Sequence, residues 1–255
     1  MENRYALRSV AMLSMAADER DLAVELLMSM KRFFKFKELE SLLNISVPTI
    51  WRYIHGEIKP SIDRAREMLN KLLSRDVLNI VRDKILSVYS NGIVNVYNLA
   101  YSIDILSIAS IDAYLWAYNL RPTAIVTAET DGIPLATLIA KRLNAKLATV
   151  KRRKDVGFKR FYETNYIAYD PPGIVTLYLP EGVLNAKDRV LIVDDLVRSG
   201  RTSQAVAELV KQSGAEVVGF YALIGMGSAW KSTIEKIVGS SYRVLFEVSQ
   251  HTDQG

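Results

Sequence analysis

The sequence predicts an α/β protein, a mostly parallel sheet flanked by helices, preceded by a separate all-α domain. Three observations carry that expectation. The 255 residues exceed the roughly 100 to 150 residues of one ordinary domain. From Tyr5 to about Tyr118 apolar residues recur at helical spacing, with no alternating strand pattern between them. Beyond Pro122 the texture changes to short β-branched runs separated by helical segments, and strand, helix, strand order implies parallel strands covered on both faces.

The bulk numbers exclude several classes. Hydrophobic residues at 49% and charged residues at 24% are the balance of a folded globular chain rather than a disordered or fibrous one. No cysteine is present, so disulfides, thiolate metal sites and cysteine nucleophiles are excluded, which fits a reducing compartment and an expected cytoplasmic location. Glu2, Arg4 and Arg8 interrupt the first apolar steps, leaving neither a secretory signal nor the roughly 20 apolar residues of a membrane span. The net charge of +5 favours anionic partners.

In the N-terminal part, FKFKELESLLNISVPTIWRYIHGEIKPSIDRAREMLNKLL reads as a helix, a tight break at Asn44, a second helix opening at Ser46 and a third after Pro60. Three short helices joined by tight turns make a helix-turn-helix core. Ser46 is an expected N-cap and Pro48 falls in the first turn, where its missing N–H costs nothing. Ile50 and Ile54 at a spacing of four should face the core, leaving Thr49, Arg52, Tyr53 and His55 exposed to meet bases and phosphates. The plainer alternative is a small helical bundle for protein contacts, with Lys31, Arg32, Lys35 and Lys37 as a solvated face.

The stretch NISVPTIWRYIHGEIKPS resembles the recognition-helix region of lambda-repressor-like helix-turn-helix proteins over roughly residues 33 to 70. Ser46, Thr49, Ile50, Arg52, Tyr53, Gly56, Lys59 and Pro60 carry the resemblance, while Trp51 stands where that family usually has a small polar residue. The resemblance implies that the helix from Ser46 enters the major groove, that Lys59 contacts phosphate, and that two copies pair on double-stranded operator DNA. The domain boundary is expected near residues 73 to 75, giving a DNA-binding domain over 1–74 and a second domain over 75–255.

In the second domain AIVTAE, KLATV and VLIVDD read as strands, and PLATLIAKRLNA and TSQAVAELVKQSG as helices. The C-terminal segment from Gly225 should supply a last helix and strand, with Trp230 as a core aromatic. VLIVDDLVRSGRTSQAVAELV is the most informative run: a strand buried on both faces, two acids, a Ser/Gly/Thr loop and a helix. Its carboxyl end opens where open α/β sheets bind ligands. Asp194 and Asp195 there can accept hydrogen bonds from vicinal sugar hydroxyls, with a neighbouring divalent cation offsetting their repulsion. Arg198, Ser199, Gly200, Arg201 and Thr202 wrap a helix N-terminus, which favours a phosphate. Neither GxxxxGK[ST] nor GxGxxG is present, which disfavours ATP and NAD sites. Singly, a paired acid at a strand end can be a helix cap, and a basic run such as Lys151 to Lys154 an ordinary charged loop.

This run resembles the phosphoribosyl pyrophosphate (PRPP) binding motif of type I phosphoribosyltransferases, and residues 124 to 227 resemble the adenine and xanthine phosphoribosyltransferase branch. The resemblance implies the type I phosphoribosyltransferase fold, with Asp194 and Asp195 on the ribose hydroxyls and the 198–202 loop on the 5′-phosphate. It implies that Glu129, Thr130, Asp131 and Gly132 form the pyrophosphate loop, and that KRRKDVGFKRFYE is a mobile loop whose Lys151 and Arg152 supply cations. Magnesium would travel with PRPP near Asp194 and Asp195 rather than sit in a site of its own, and a homodimer is expected.

In several purine enzymes of this family the residue two before the loop glycine lies near the base, as a small residue or an acid. Here it is Arg198. A long cation crowds the base and disfavours a proton acceptor, and Arg201 departs from a small residue in a similar way. The expectation is therefore a PRPP-responsive transcription regulator of purine or nucleotide metabolism, similar to repressors and archaeal regulators that carry such a domain. The alternative is an active purine phosphoribosyltransferase with an accessory N-terminal domain.

Overall fold

A computed structural model describes residues 17–86, 97–169 and 172–249. The helical expectations over 5–16 and 87–96 lie outside the described residues. The chain divides into two compact units, Met1–Val77 and Leu78–Gly255.

The described part of the first unit is helical: α1 (Glu19–Met30), α2 (Phe36–Leu43), α3 (Val47–Ile54) and α4 (Ile62–Leu72). Three of these boundaries have a local cause. The Asp18 carboxylate accepts the Arg20 N–H at 2.9 Å to start α1, and Ser61 accepts the Arg64 N–H at 3.3 Å to start α4; such caps satisfy donors that a helix start leaves open. Asn44 ends α2 in the left-handed region at φ 54, a conformation that asparagine tolerates better than most side chains. Leu22, Leu26, Met30, Leu39, Ile50 and Met68 are fully or nearly fully buried and form the apolar stripes that hold these short helices together.

The next helix, α5 (Arg75–Ile85), contains the residues at which the two units divide. Beyond it come α6 (Tyr97–Ala100) and α7 (Ile103–Ala117), then β1 (Ala124–Ala128), α8 (Ile133–Leu143), β2 (Lys146–Val150), β3 (Phe161–Tyr169) and β4 (Pro172–Pro180). The unit finishes with β5 (Arg189–Val197), α9 (Arg201–Gln212), β6 (Glu216–Met226), α10 (Ala229–Val238) and β7 (Tyr242–Val248). Five strands form one sheet in the order β2-β1-β5-β6-β7, and every pairing in it is parallel. Val190, Leu191, Ile192 and Val193 of β5 are all buried, because α9, α10 and the β3–β4 hairpin cover one face while α7 and α8 cover the other. The C-terminal segment supplies α10 and β7 as the sequence indicates, and Trp230 is buried, its indole N–H donating to the Gly227 carbonyl at 2.9 Å.

The expected mobile loop, residues 151–163, is irregular up to residue 160, and only its last three residues enter a hairpin that the sequence reading did not anticipate. Residues 161–169 pair antiparallel with 172–180 in a two-stranded sheet. Tyr162, Thr164 and Tyr166 turn inward while Glu163, Asn165 and Ile167 turn outward, and Tyr162 and Tyr166 pack on the core. This is a period-two pattern built from residues that are only weakly apolar.

Strand order fixes where a ligand can enter. From β1 the chain crosses to β2 on one side, whereas from β5 it crosses to β6 on the other. The connections therefore diverge between β1 and β5, and the crevice beyond their carboxyl ends is the position that open parallel sheets use for ligands.

Candidate functional site

Asp194 and Asp195 stand at the carboxyl end of β5. The Asp195 backbone N–H donates to Asp194 Oδ1 at 3.1 Å, and the Ser203 hydroxyl donates to Asp194 Oδ2 at 3.3 Å. Burial, and then the Asp195 charge, push the Asp194 carboxyl well above the ordinary carboxylate range. Burial raises Asp195 too, with the Asp131 charge adding to it. Among the described residues none of Asp131, Asp194 and Asp195 has a cationic side chain paired with it. Two acids whose carboxyls burial raises favour ligands that bring hydroxyl donors or positive charge.

The loop after β5 turns through Gly200, which has φ +76 and caps α9. A side chain there would be strained and would approach Thr233 Cβ within 2.9 Å, so glycine is required twice over. The loop lines a cavity of about 500 Å³, together with Arg152, Tyr166 and Asp194. Arg198, Ser199, Arg201 and Thr202 all face this space, over the free N–H groups at the start of a twelve-residue helix. The hairpin closes it from the side: Arg201 Nη1 donates to the Ile167 carbonyl at 3.2 Å, and the hydroxyls of Thr202 and Tyr166 are 3.2 Å apart.

Across the crevice, β1 ends in Glu129, Thr130, Asp131 and Gly132, and the Glu129–Thr130 peptide is cis. Gly132 has an ordinary φ of −73; what demands glycine is space, because a Cβ would collide with the Thr127 hydroxyl and lie 3.6 Å from the Asp195 nitrogen. The turn thus folds tightly against both β1 and the acids of β5. Glu129 Oε1 accepts the Arg152 N–H at 2.8 Å, which brings the basic segment to the same mouth. Lys151 is not among the cavity-lining residues; its ammonium pairs with Asp155 at 2.7 Å, and that hydrogen bond raises its pKa. Sequence reasoning missed Tyr101, whose hydroxyl donates to Asp131 Oδ1 at 2.6 Å, and also Tyr166 and Ser203. The alternation around Tyr166 is a usable signal, whereas nothing local marks Tyr101, thirty positions before its partner.

No cluster of three ligating side chains able to hold a metal occurs among the described residues.

In the first unit, Ser46 precedes α3 but its hydroxyl does not cap the helix; it pairs with the Thr49 hydroxyl at 2.9 Å, while Glu40 accepts the Val47 N–H at 3.1 Å. Tyr53 requires correction. It is only 8% exposed, so it packs in the core rather than on the exposed face expected of it. Ile50 and Tyr53, three apart, share the buried face of α3, whereas Ile54 at the helix end is only half-buried. Arg52 is exposed and 3.4 Å from Glu57. His55 stacks on Trp51 with ring centroids 3.9 Å apart, and Lys59 pairs with Asp21 at 2.6 Å.

The phosphoribosyl transferase domain family matches residues 105–244, which include both loops of the crevice and the hairpin between them. A xanthine phosphoribosyltransferase of Deinococcus deserti is 29% identical over 106 residues, 41% of this chain and 55% of that protein; the chain thus spans about half the length of that relative. An adenine phosphoribosyltransferase of Trichormus variabilis is 30% identical over 156 residues, 60% of this chain and 77% of that one. The crystal structure of adenine phosphoribosyltransferase from Rhodothermus marinus superposes with a TM-score of 0.58 at 20% identity, covering 69% of this chain and all of that one, which shows the fold. Among the described residues no helix is long and apolar enough to cross a membrane. With its matched region occupying more than half of its length, the chain belongs to the phosphoribosyl transferase domain family.

Proposed function

We propose that this protein is a DNA-binding transcription regulator of purine or nucleotide metabolism that senses PRPP through its phosphoribosyltransferase-like unit. In this reading Asp194 and Asp195 accept hydrogen bonds from the ribose hydroxyls, and the amides and hydroxyls of residues 199–202 hold the 5′-phosphate. The turn from Glu129 to Gly132, with Arg152, receives the pyrophosphate. Magnesium bound with PRPP offsets charge between the phosphates and the nearby acids.

The observation that carries the regulator reading is Arg198. Its side chain is exposed and lines the cavity beside the acids, where a base-using enzyme of this family would need room and a proton acceptor. A helical unit with a tight turn before α3 supports the DNA-reading half: Ser46, Arg52 and His55 are exposed on or beside α3, and Thr49 is half-buried. PRPP would act by binding one DNA-competent or DNA-incompetent state better than the other, since equal affinity for both shifts nothing. A homodimer would present two copies of α3 to one operator.

The test is calorimetric titration of PRPP with magnesium into the full chain, followed by an assay for nucleotide formation with adenine, guanine, hypoxanthine and xanthine. Binding without turnover is the expected result. Turnover would make the chain a purine phosphoribosyltransferase and leave its N-terminal unit accessory. DNA binding is tested separately by a mobility shift whose affinity falls as salt rises, and Asp194→Ala with Asp195→Ala should abolish the PRPP response while leaving the shift intact.

A further inference from the structure

The Asp131 carboxylate belongs to the turn that would receive the diphosphate, so an unrestrained negative charge there would oppose the ligand. The structure answers that problem from outside the motif. Tyr101 follows α6, whose Leu99 and Ala100 are both buried. The Tyr101 N–H closes the turn onto the Tyr97 carbonyl at 3.2 Å. Its ring rests on that of Tyr97 with centroids 4.7 Å apart. From this fixed base its hydroxyl reaches Asp131 Oδ1 at 2.6 Å, while the side chain stays 39% exposed. A bond this short between a phenol and a carboxylate is charge-assisted.

We infer that Tyr101 is a positioning residue for the diphosphate end of the ligand, acting through Asp131: it fixes the carboxylate in one orientation and disperses its charge. This rests on the PRPP reading of the same crevice. The phenol donates to the carboxylate, and that hydrogen bond is the chief reason its pKa is pushed up to about 12. Asp131 also raises the Asp195 carboxyl, so the orientation of this one side chain is felt on both sides of the crevice. A purely structural tyrosine would influence every ligand alike; a positioning residue should discriminate between the two ends of PRPP.

The experiment compares the wild-type chain with Tyr101→Phe, which keeps the ring and its stacking. Calorimetry would use magnesium PRPP, magnesium pyrophosphate and ribose 5-phosphate. Tyr101→Phe should weaken PRPP and pyrophosphate about tenfold, the size of one hydrogen bond to a charged group, and leave ribose 5-phosphate within twofold. In an Asp131→Ala background the same substitution should cause no further loss, because the two residues act as one unit. Unchanged PRPP affinity, equal losses for all three ligands, or full additivity in the double variant would overturn the inference while leaving the PRPP reading in place. A wild-type chain that binds neither PRPP nor pyrophosphate would overturn both, and does so before any variant is made.

Discussion

Arg243 grips Asp112 with both ends of the carboxylate, Nη2 to Oδ1 at 2.6 Å and Nε to Oδ2 at 2.7 Å. Asp112 is 1% exposed and also accepts the Tyr221 hydroxyl at 3.1 Å, so one helix side chain on α7 ties together β6 and β7. Removing the acid would leave the guanidinium half-buried and unpaired. Asp112→Ala should therefore destabilise the second unit by about 3 to 5 kcal/mol, measured by urea unfolding. A loss under about 1 kcal/mol would mean that water replaces the carboxylate without difficulty.

Gly132 makes a second prediction about packing. Its φ suits any residue, so alanine would suffer only from the contact with the Thr127 hydroxyl. Gly132→Ala should cost about 1 to 3 kcal/mol by overpacking and weaken PRPP binding as the turn moves. Pairing it with Thr127→Ala should restore most of the stability. Failure of that rescue in thermal unfolding would place the strain elsewhere in the turn.

The parts of this chain that were legible in the sequence are those whose environment is uniform. Val190 to Val193 are buried on both faces, so the run is continuously apolar and its end at Asp194 is unmistakable. Gly200 and the residues around it announce a helix start by chemistry alone. Legibility failed where one residue's role depends on a distant partner. Tyr166 faces inward toward a partner, Thr202, that lies far along the chain, and Tyr101 gains its role only when the fold brings α6 to the turn after β1. On α3 spacing alone leaves the core face ambiguous by one residue: the partner of Ile50 is Tyr53 at i+3 rather than Ile54 at i+4, which turns Tyr53 inward.

That correction on α3 separates two aromatic neighbours. Tyr53 lies in the core, while Trp51 is 42% exposed and stacks on His55. Tyr53→Ala should cost the first unit about 3 to 5 kcal/mol. Trp51→Ala should change stability by about 0.5 kcal/mol or less and lower affinity for the operator DNA proposed above. Thermal unfolding and a mobility shift on both variants would distinguish them; equal destabilisation would mean that the stacked Trp51 and His55 rings hold α3 together.

Asp194 couples stability to ligand binding in opposite directions. Its carboxyl is raised well above the ordinary range, first by burial and then by the Asp195 charge. A group whose folded pKa exceeds its unfolded value stabilises the fold in its protonated form: that contribution is complete below the unfolded value near 3.9 and is lost as pH rises through the raised folded value. Ionising this carboxyl therefore weighs against folding. Asparagine can still accept from the Asp195 N–H and donate to the Ser203 hydroxyl, while carrying no charge. Asp194→Asn should raise the melting temperature at pH 7 by about 2 to 4 °C, as expected for ~1 kcal/mol in a unit of this size. The gain should shrink as pH falls and vanish below about pH 4, where the wild-type acid is protonated in both states. PRPP affinity should fall at the same time, because an amide cannot accept two hydrogen bonds from a diol as the carboxylate does. Melting curves across that pH range, with and without PRPP, test both halves. A variant less stable than wild type at pH 7 would show that partners already compensate the buried charge.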